Sequence, residues 1–136
     1  MIPKALALEI LTPDKPVVHE DVDEVQLPGC EGAFGVLPGH TPLLALLDPG
    51  ELWYRKAGMK TSLVIDFGLA EVLPDRVTVL VNLAQKPETI DVAKEAEAQV
   101  SAEHEMKQAK TLEEAERARV ALVTAQMRQR VAGKKG

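Results

Sequence analysis

The stretch "VLPDRVTVLVNLAQKPETIDVAKEAEAQV", residues 72–100, contains the change of pattern that decides the fold. Its first half is strand-like: Val77 to Leu83 is dense in β-branched and aliphatic residues, which fit a pleated surface. The Pro74-Asp75-Arg76 connection predicts a tight hairpin turn back to a strand over Leu69 to Leu73. Beyond Lys86-Pro87 alanine and charged residues dominate, a composition that favours helix. Residues 89–136 contain no proline, and glycine only at positions 133 and 136. Two architectures therefore meet here, predicting one domain over residues 1–86 and a second over residues 87–136.

Upstream of the junction, Leu6, Leu8 and Ile10 alternate with Ala7 and Glu9, and Val25 and Leu27 alternate with Glu24 and Gln26, as half-buried strands require. Leu52 to Lys56, a turn around Gly58, and Thr61 to Asp66 read as another hairpin. Many short strands without intervening helices imply a β-sandwich or flattened barrel. Downstream, helices are expected over about 90–109 and 112–131. Thr111-Leu112-Glu113-Glu114 is a capping box, in which the Thr111 hydroxyl accepts from the Glu114 N–H and the Glu114 carboxylate reaches back to Thr111. The short link around Lys110 makes the helices an antiparallel hairpin. The fold class is thus α+β: an N-terminal antiparallel β-sandwich followed by a C-terminal antiparallel two-helix hairpin.

Helical spacing puts Ala93, Ala96 and Val100 on one side of the hairpin seam and Ala115, Ala118, Leu122 and Ala125 on the other. Alanine buries little, at about 0.8 kcal/mol per CH₂, so such a seam holds weakly. Two states close in energy suit a switch, although a permanently docked hairpin fits the same residues.

Charge and composition exclude several function classes. The 136 residues carry a net charge of -5 and only 3% aromatic residues. Trp53, Tyr54, Phe34 and Phe67 are too few and scattered for base stacking, and an acidic chain lacks the electrostatic footprint of a nucleic-acid binder. One cysteine, Cys30, cannot form an internal disulfide; it reads as a small buried or half-buried apolar side chain in a reducing compartment. The N-terminal apolar stretch is too short and too acidic for a signal peptide. The longest uncharged run, residues 32–47, is broken by Gly35, Pro38, Gly39 and Pro42, so it is no membrane helix and the chain reads as soluble by itself. Residues 111–136 carry six Lys and Arg against three Asp and Glu, which makes the last helix basic. Such a face suits either an acidic partner or simply solvent and the negative end of the helix dipole.

The run "GCEGAFGVLPGHTPLL", residues 29–44, resembles a phosphate cradle only superficially. A P-loop needs Gly-Lys-Ser/Thr after its glycines, and here His40-Thr41-Pro42 follows. The spacing Gly29, Gly32, Gly35 lacks the close pair of a dinucleotide fingerprint, and Pro38 and Pro42 forbid the helix that should follow. These glycines read as backbone punctuation at turns or bulges. A catalytic His40 would need an orienting partner, yet His19, His40 and His104 are scattered. Asp21, Asp23 and Glu24 look like the solvent side of a strand, and no metal-ligand spacing occurs. No catalytic residue is assigned.

The segments "LPGCEGAFGVLPGHTPLLALLDPGELWYRK", "VIDFGLAEVLPDRVTVLVNLA", "IDVAKEAEAQV" and "RARVALVTAQM" together resemble the ε subunit of bacterial F-type ATP synthases, over nearly the whole chain and in the same order. That resemblance implies a non-catalytic subunit of the central stalk, whose sandwich clasps the γ subunit and sits on the c-ring, coupling proton or sodium flow to rotation. It implies a peripheral location on the cytoplasmic face of the cell membrane, with membrane association only through the complex. The glycine-rich loop transfers as an interface with γ and the c-ring, at Glu31, Gly32 and His40. Ala33 stands where many relatives have a second acid, which makes that contact more apolar.

In bacterial relatives the hairpin either folds down or extends towards the α and β catalytic subunits and inhibits ATP hydrolysis. By resemblance, Arg117, Arg119, Arg128 and Arg130 are the inhibitory contacts, made transiently. Some relatives also bind ATP through Ile/Leu-Asp-x-x-Arg-Ala. Ile90 and Asp91 match, but Lys94 and Glu95 replace Arg and Ala, removing a planar donor fork and adding a repulsive charge. No cofactor is required on this reading, and ATP enters only as a regulatory ligand at Ile90, Asp91 and Lys94. Two other functions remain open on these residues: a stand-alone ATP-sensing module, and a small β-sandwich enzyme using His40.

Overall fold

The computed structural model describes residues 2–132. The chain divides into two compact units, the first ending at Gln85 and the second beginning at Lys86. The first unit holds ten strands: β1 (Leu6–Leu11), β2 (Pro16–Val22), β3 (Glu24–Gly29), β4 (Gly32–Val36), β5 (Leu43–Leu47), β6 (Gly50–Lys56), β7 (Met59–Ile65), β8 (Gly68–Leu73), β9 (Arg76–Val81) and β10 (Ala84–Gln85). The second holds a 3₁₀ turn over Pro87–Thr89, then α1 (Val92–Gln108) and α2 (Leu112–Ala132).

Neighbouring strands run β10-β7-β6-β3-β5-β8-β9-β1-β2, with β4 on the other side of β3. The β3–β5 step is a single pair, Gly29 with Leu47, and here the sheet folds over on itself. One layer is β10, β7, β6, β3 and β4; the other is β5, β8, β9, β1 and β2. Between them lies a core of alternate residues, including Leu6, Leu8, Ile10, Val25, Leu27, Leu52, Leu63, Ile65, Val77 and Val79. The alternation expected for β1 and β3 is present in full, with every second residue of Leu6–Ile10 and Val25–Leu27 buried. The sandwich is not wholly antiparallel, because β1 pairs with β9 in parallel, Leu8 opposite Val77 and Ile10 opposite Val79.

The hairpin turns follow their residues. Pro74-Asp75 links β8 to β9 with Leu73 opposite Arg76. The strand expected to reach Leu83 stops at Val81; the Leu83 carbonyl instead accepts from Asp66 N–H at 3.1 Å, and pairing resumes with β10 against β7. Ala57-Gly58 joins β6 to β7, both with positive φ, 51° and 79°. That is the conformation of a two-residue primed turn, which suits Asn-Gly and leaves Ala57 in the left-handed region that a Cβ disfavours. Ala57→Asn is therefore expected to stabilise the chain by about 0.5–1 kcal/mol, read as a higher denaturant midpoint at unchanged slope.

In the second unit Asp91 caps α1, its Oδ1 accepting from Lys94 N–H at 3.1 Å. Thr111 accepts from Glu114 N–H at 3.1 Å as expected. The return arm differs: the Glu114 carboxylate takes Lys110 N–H at 3.0 Å rather than that of Thr111. The seam also differs on one side. Ala115 and Leu122 are half-buried and Ala118 and Ala125 buried, as expected for α2. On α1, however, Ala93, Ala96 and Val100 are exposed, whereas Ala102 is buried and Glu95 and Gln99 are half-buried. Ion pairing and amide hydrogen bonding from α2 choose the α1 face, because alanine recurs on several faces of this helix and distinguishes none of them.

Candidate functional site

The sandwich presents two surface features. Gly29, Cys30, Glu31 and Gly32, with Phe34 and Leu43–Leu46, line a groove of about 340 Å³ at the β3–β4 turn. Gly32 has a φ of 130°, which a side chain would resist. Cys30 is exposed at this turn, not buried or half-buried as its type suggests, because a two-residue turn has no inward side. Glu31 and Gly32 thus share one site. His40 does not join them: it lies in the β4–β5 connection, at the far end of β4. There Gly39 N–H donates to the Pro74 carbonyl at 2.7 Å, and His40 Nδ1 donates to the Thr41 carbonyl at 2.6 Å. The latter contact ties the imidazole to its own loop.

The second feature is a row of leucines. Strand register aligns Leu46 with Leu69, Leu69 with Leu80 and Leu80 with Leu11, across β5, β8, β9 and β1. These alternate with the buried row containing Ala70, Val79 and Ile10, so they face outward. Leu46 is 64% and Leu80 48% exposed. The adjacent outward row is Leu44, Glu71, Thr78, Glu9 and His19, so an apolar stripe lies beside a polar, acidic one. Leu11 and Leu69 are half-buried, and an outward aliphatic row with Leu46 and Leu80 exposed marks a candidate interaction site.

On α2, Arg117 and Arg128 lie eleven residues apart, as do Arg119 and Arg130, about three turns in each case. The two pairs project from roughly opposite sides of the helix, so no single flat surface meets all four. Arg117 bonds Glu113 at 3.3 Å, and Arg119 bonds Glu116 at 3.1 Å, both within the helix. The Arg119 hydrogen bond, then its charge, holds the Glu116 carboxyl below its ordinary range. Arg128 instead crosses to Glu95 on α1 at 3.4 Å. Arg130 is exposed.

Comparison with known proteins gives the arrangement its context. A family model described as "ATP synthase, Delta/Epsilon chain, beta-sandwich domain" matches residues 5–87. The chain belongs to the ε-chain family of F-type ATP synthases. It is 42% identical over 127 residues to the ATP synthase epsilon chain of Herpetosiphon aurantiacus, covering 93% of each chain. Against the ATP synthase epsilon chain of Nitratidesulfovibrio vulgaris strain DP4 it is 44% identical over 130 residues, 96% of this chain and 97% of the relative. Among solved structures it is similar to a chain in the cryo-EM structure of Euglena gracilis mitochondrial ATP synthase, OSCP/F1/c-ring, with a TM-score of 0.84, 28% identity, and coverage of 93% of this chain and 80% of that one.

Within this ε chain the residues of the nucleotide motif have local duties. Ile90 is buried and its N–H donates to the Pro87 carbonyl at 3.1 Å. The Asp91 carboxylate caps α1, and Lys94, whose N–H it binds, is exposed. Among the described residues no cluster of three or more His, Cys, Asp or Glu could hold a metal ion, and no helix is long and apolar enough to cross a membrane. The leucine row escaped the sequence reading because its members sit on four different strands; only Leu80, outward in an otherwise apolar strand, hinted at it.

Proposed function

We propose that this ε chain is a non-catalytic subunit of the rotating central stalk. Its sandwich clasps γ and rests on the c-ring, so that ion flow through the ring is coupled to rotation, and its hairpin restrains ATP hydrolysis by the α and β catalytic subunits. The outward row Leu46, Leu69, Leu80 and Leu11 carries the reading: a sheet face with exposed leucines gains stability when a partner covers it. The groove at Glu31 and Gly32 is the natural second contact, and His40, at the other end of β4, shapes its own loop. On this reading the chain is peripheral to the membrane, on its cytoplasmic side, and works without a bound cofactor. Asp91 as a helix cap and Glu95 opposite Arg128 favour that over ATP as a regulatory ligand.

Deletion of residues 89–136 tests both halves. The shortened chain should still assemble with γ, while ATP hydrolysis by the assembled complex rises about fivefold, the factor that 1 kcal/mol of hairpin engagement corresponds to. Unchanged hydrolysis removes the inhibitory role, and loss of assembly removes the clasp.

A further inference from the structure

The hairpin seam contains an ion pair that the apolar pattern does not require. Glu95 on α1 and Arg128 on α2 meet at 3.4 Å with side chains only 13% and 21% exposed. Each keeps a buried atom without a hydrogen-bond partner, Glu95 Oε2 and Arg128 Nε. Beside them Gln129 Nε2 donates to Gln99 Oε1 at 2.7 Å and to the Ala125 carbonyl at 3.2 Å. Charges withdrawn from water recover their desolvation only through close geometry and satisfied atoms. A single long contact with an orphan on each side recovers it incompletely. The pair therefore fixes the register of two alanine-lined helices while remaining easy to separate.

Arg128 differs from Arg117 and Arg119 in one decisive respect. Their acids, Glu113 and Glu116, lie on α2 itself, within one turn, so those pairs persist whether or not the helices part. The acid of Arg128 lies on α1, 33 residues away in sequence. The 3.4 Å contact of Arg128 crosses from α2 to α1, so it is broken when α1 and α2 separate.

We propose that Glu95 is an internal competitor for Arg128: it holds this guanidinium inside the closed hairpin and withholds it from an acidic partner surface until the helices part. The withholding rests on the inhibitory reading above; the hold within the hairpin does not.

Hydrogen exchange on the full chain separates the two, with the strand amides of residues 6–81 as internal reference. Glu95→Ala raises helix propensity, and Glu95→Gln keeps the side-chain volume. Both give up a favourable first-turn charge at the α1 N-terminus, worth about 0.3–1 kcal/mol, an effect confined to α1, so the α2 amides report the loss of the pair. Both are expected to speed exchange of the α1 and α2 amides by about tenfold. Wild-type exchange in Glu95→Gln would overturn the hold. In the assembled complex Glu95→Gln should deepen inhibition of ATP hydrolysis by about threefold, and adding Arg128→Gln should remove that gain. Accelerated exchange with unaltered hydrolysis would overturn the competition alone; the inhibitory reading falls only if deletion of residues 89–136 also leaves hydrolysis unchanged.

Discussion

A chain carrying Leu46→Glu and Leu80→Glu together folds normally and binds γ at least about 100-fold more weakly. Both side chains are exposed, at 64% and 48%, so the core loses nothing. The partner does. Covering a leucine gains about 1.5–3 kcal/mol when burial is complete, less for one already half covered. A carboxylate in its place must instead be desolvated without a counter-charge. Two such positions on one row exceed about 3 kcal/mol between them, and each 1.4 kcal/mol is tenfold in affinity. Titration of labelled γ checks the affinity, and circular dichroism with a denaturant midpoint checks the fold. Undiminished binding by a folded double variant would move the clasp to another face of the sandwich.

Gly68→Ala destabilises the first unit by about 2–4 kcal/mol, whereas Gly35→Ala changes stability by less than about 0.5 kcal/mol. Both glycines lie inside strands, and neither has the left-handed φ found at Gly32, Gly39 and Gly58. A Cβ at Gly68 would run into the Leu80 carbonyl oxygen and Val81 Cγ1, on a strand fixed by pairing to Leu47 on one side and Val81 on the other. Backbone atoms cannot step aside as a flexible side-chain tip does. At Gly35 a Cβ meets no atom within 4 Å. Chemical denaturation of the two variants side by side decides the matter, and equal midpoints would refute the crowding at Gly68.

That contrast also shows where sequence reading ends. Features governed by near neighbours were legible: the alternation of Leu6, Leu8 and Ile10, the Pro74-Asp75 turn, the Thr111 cap and the loss of proline beyond Pro87. Features governed by distant strands or helices were not. Gly68 carried no structural reading in the sequence, because its reason for lacking a side chain is Leu80 of the next strand. Ala93, Ala96 and Val100 looked like a seam, yet the partner helix selects Glu95, Gln99 and Ala102. The "GCEGAFGVLPGHTPLL" stretch looked like one loop, but β4 carries His40 away from Glu31. Arg117, Arg119, Arg128 and Arg130 looked like one basic face, and the helix splits them between two.

The parallel partnership of β1 with β9 sets a timetable for synthesis. Leu11 and Leu80 stand opposite one another, so on the ribosome an early-made ribbon must wait while 69 further residues are added. At roughly 5–20 residues per second that delay lasts about 3–14 s. Throughout it β1 offers an unfilled flank to solvent, and only the arrival of β9 closes it.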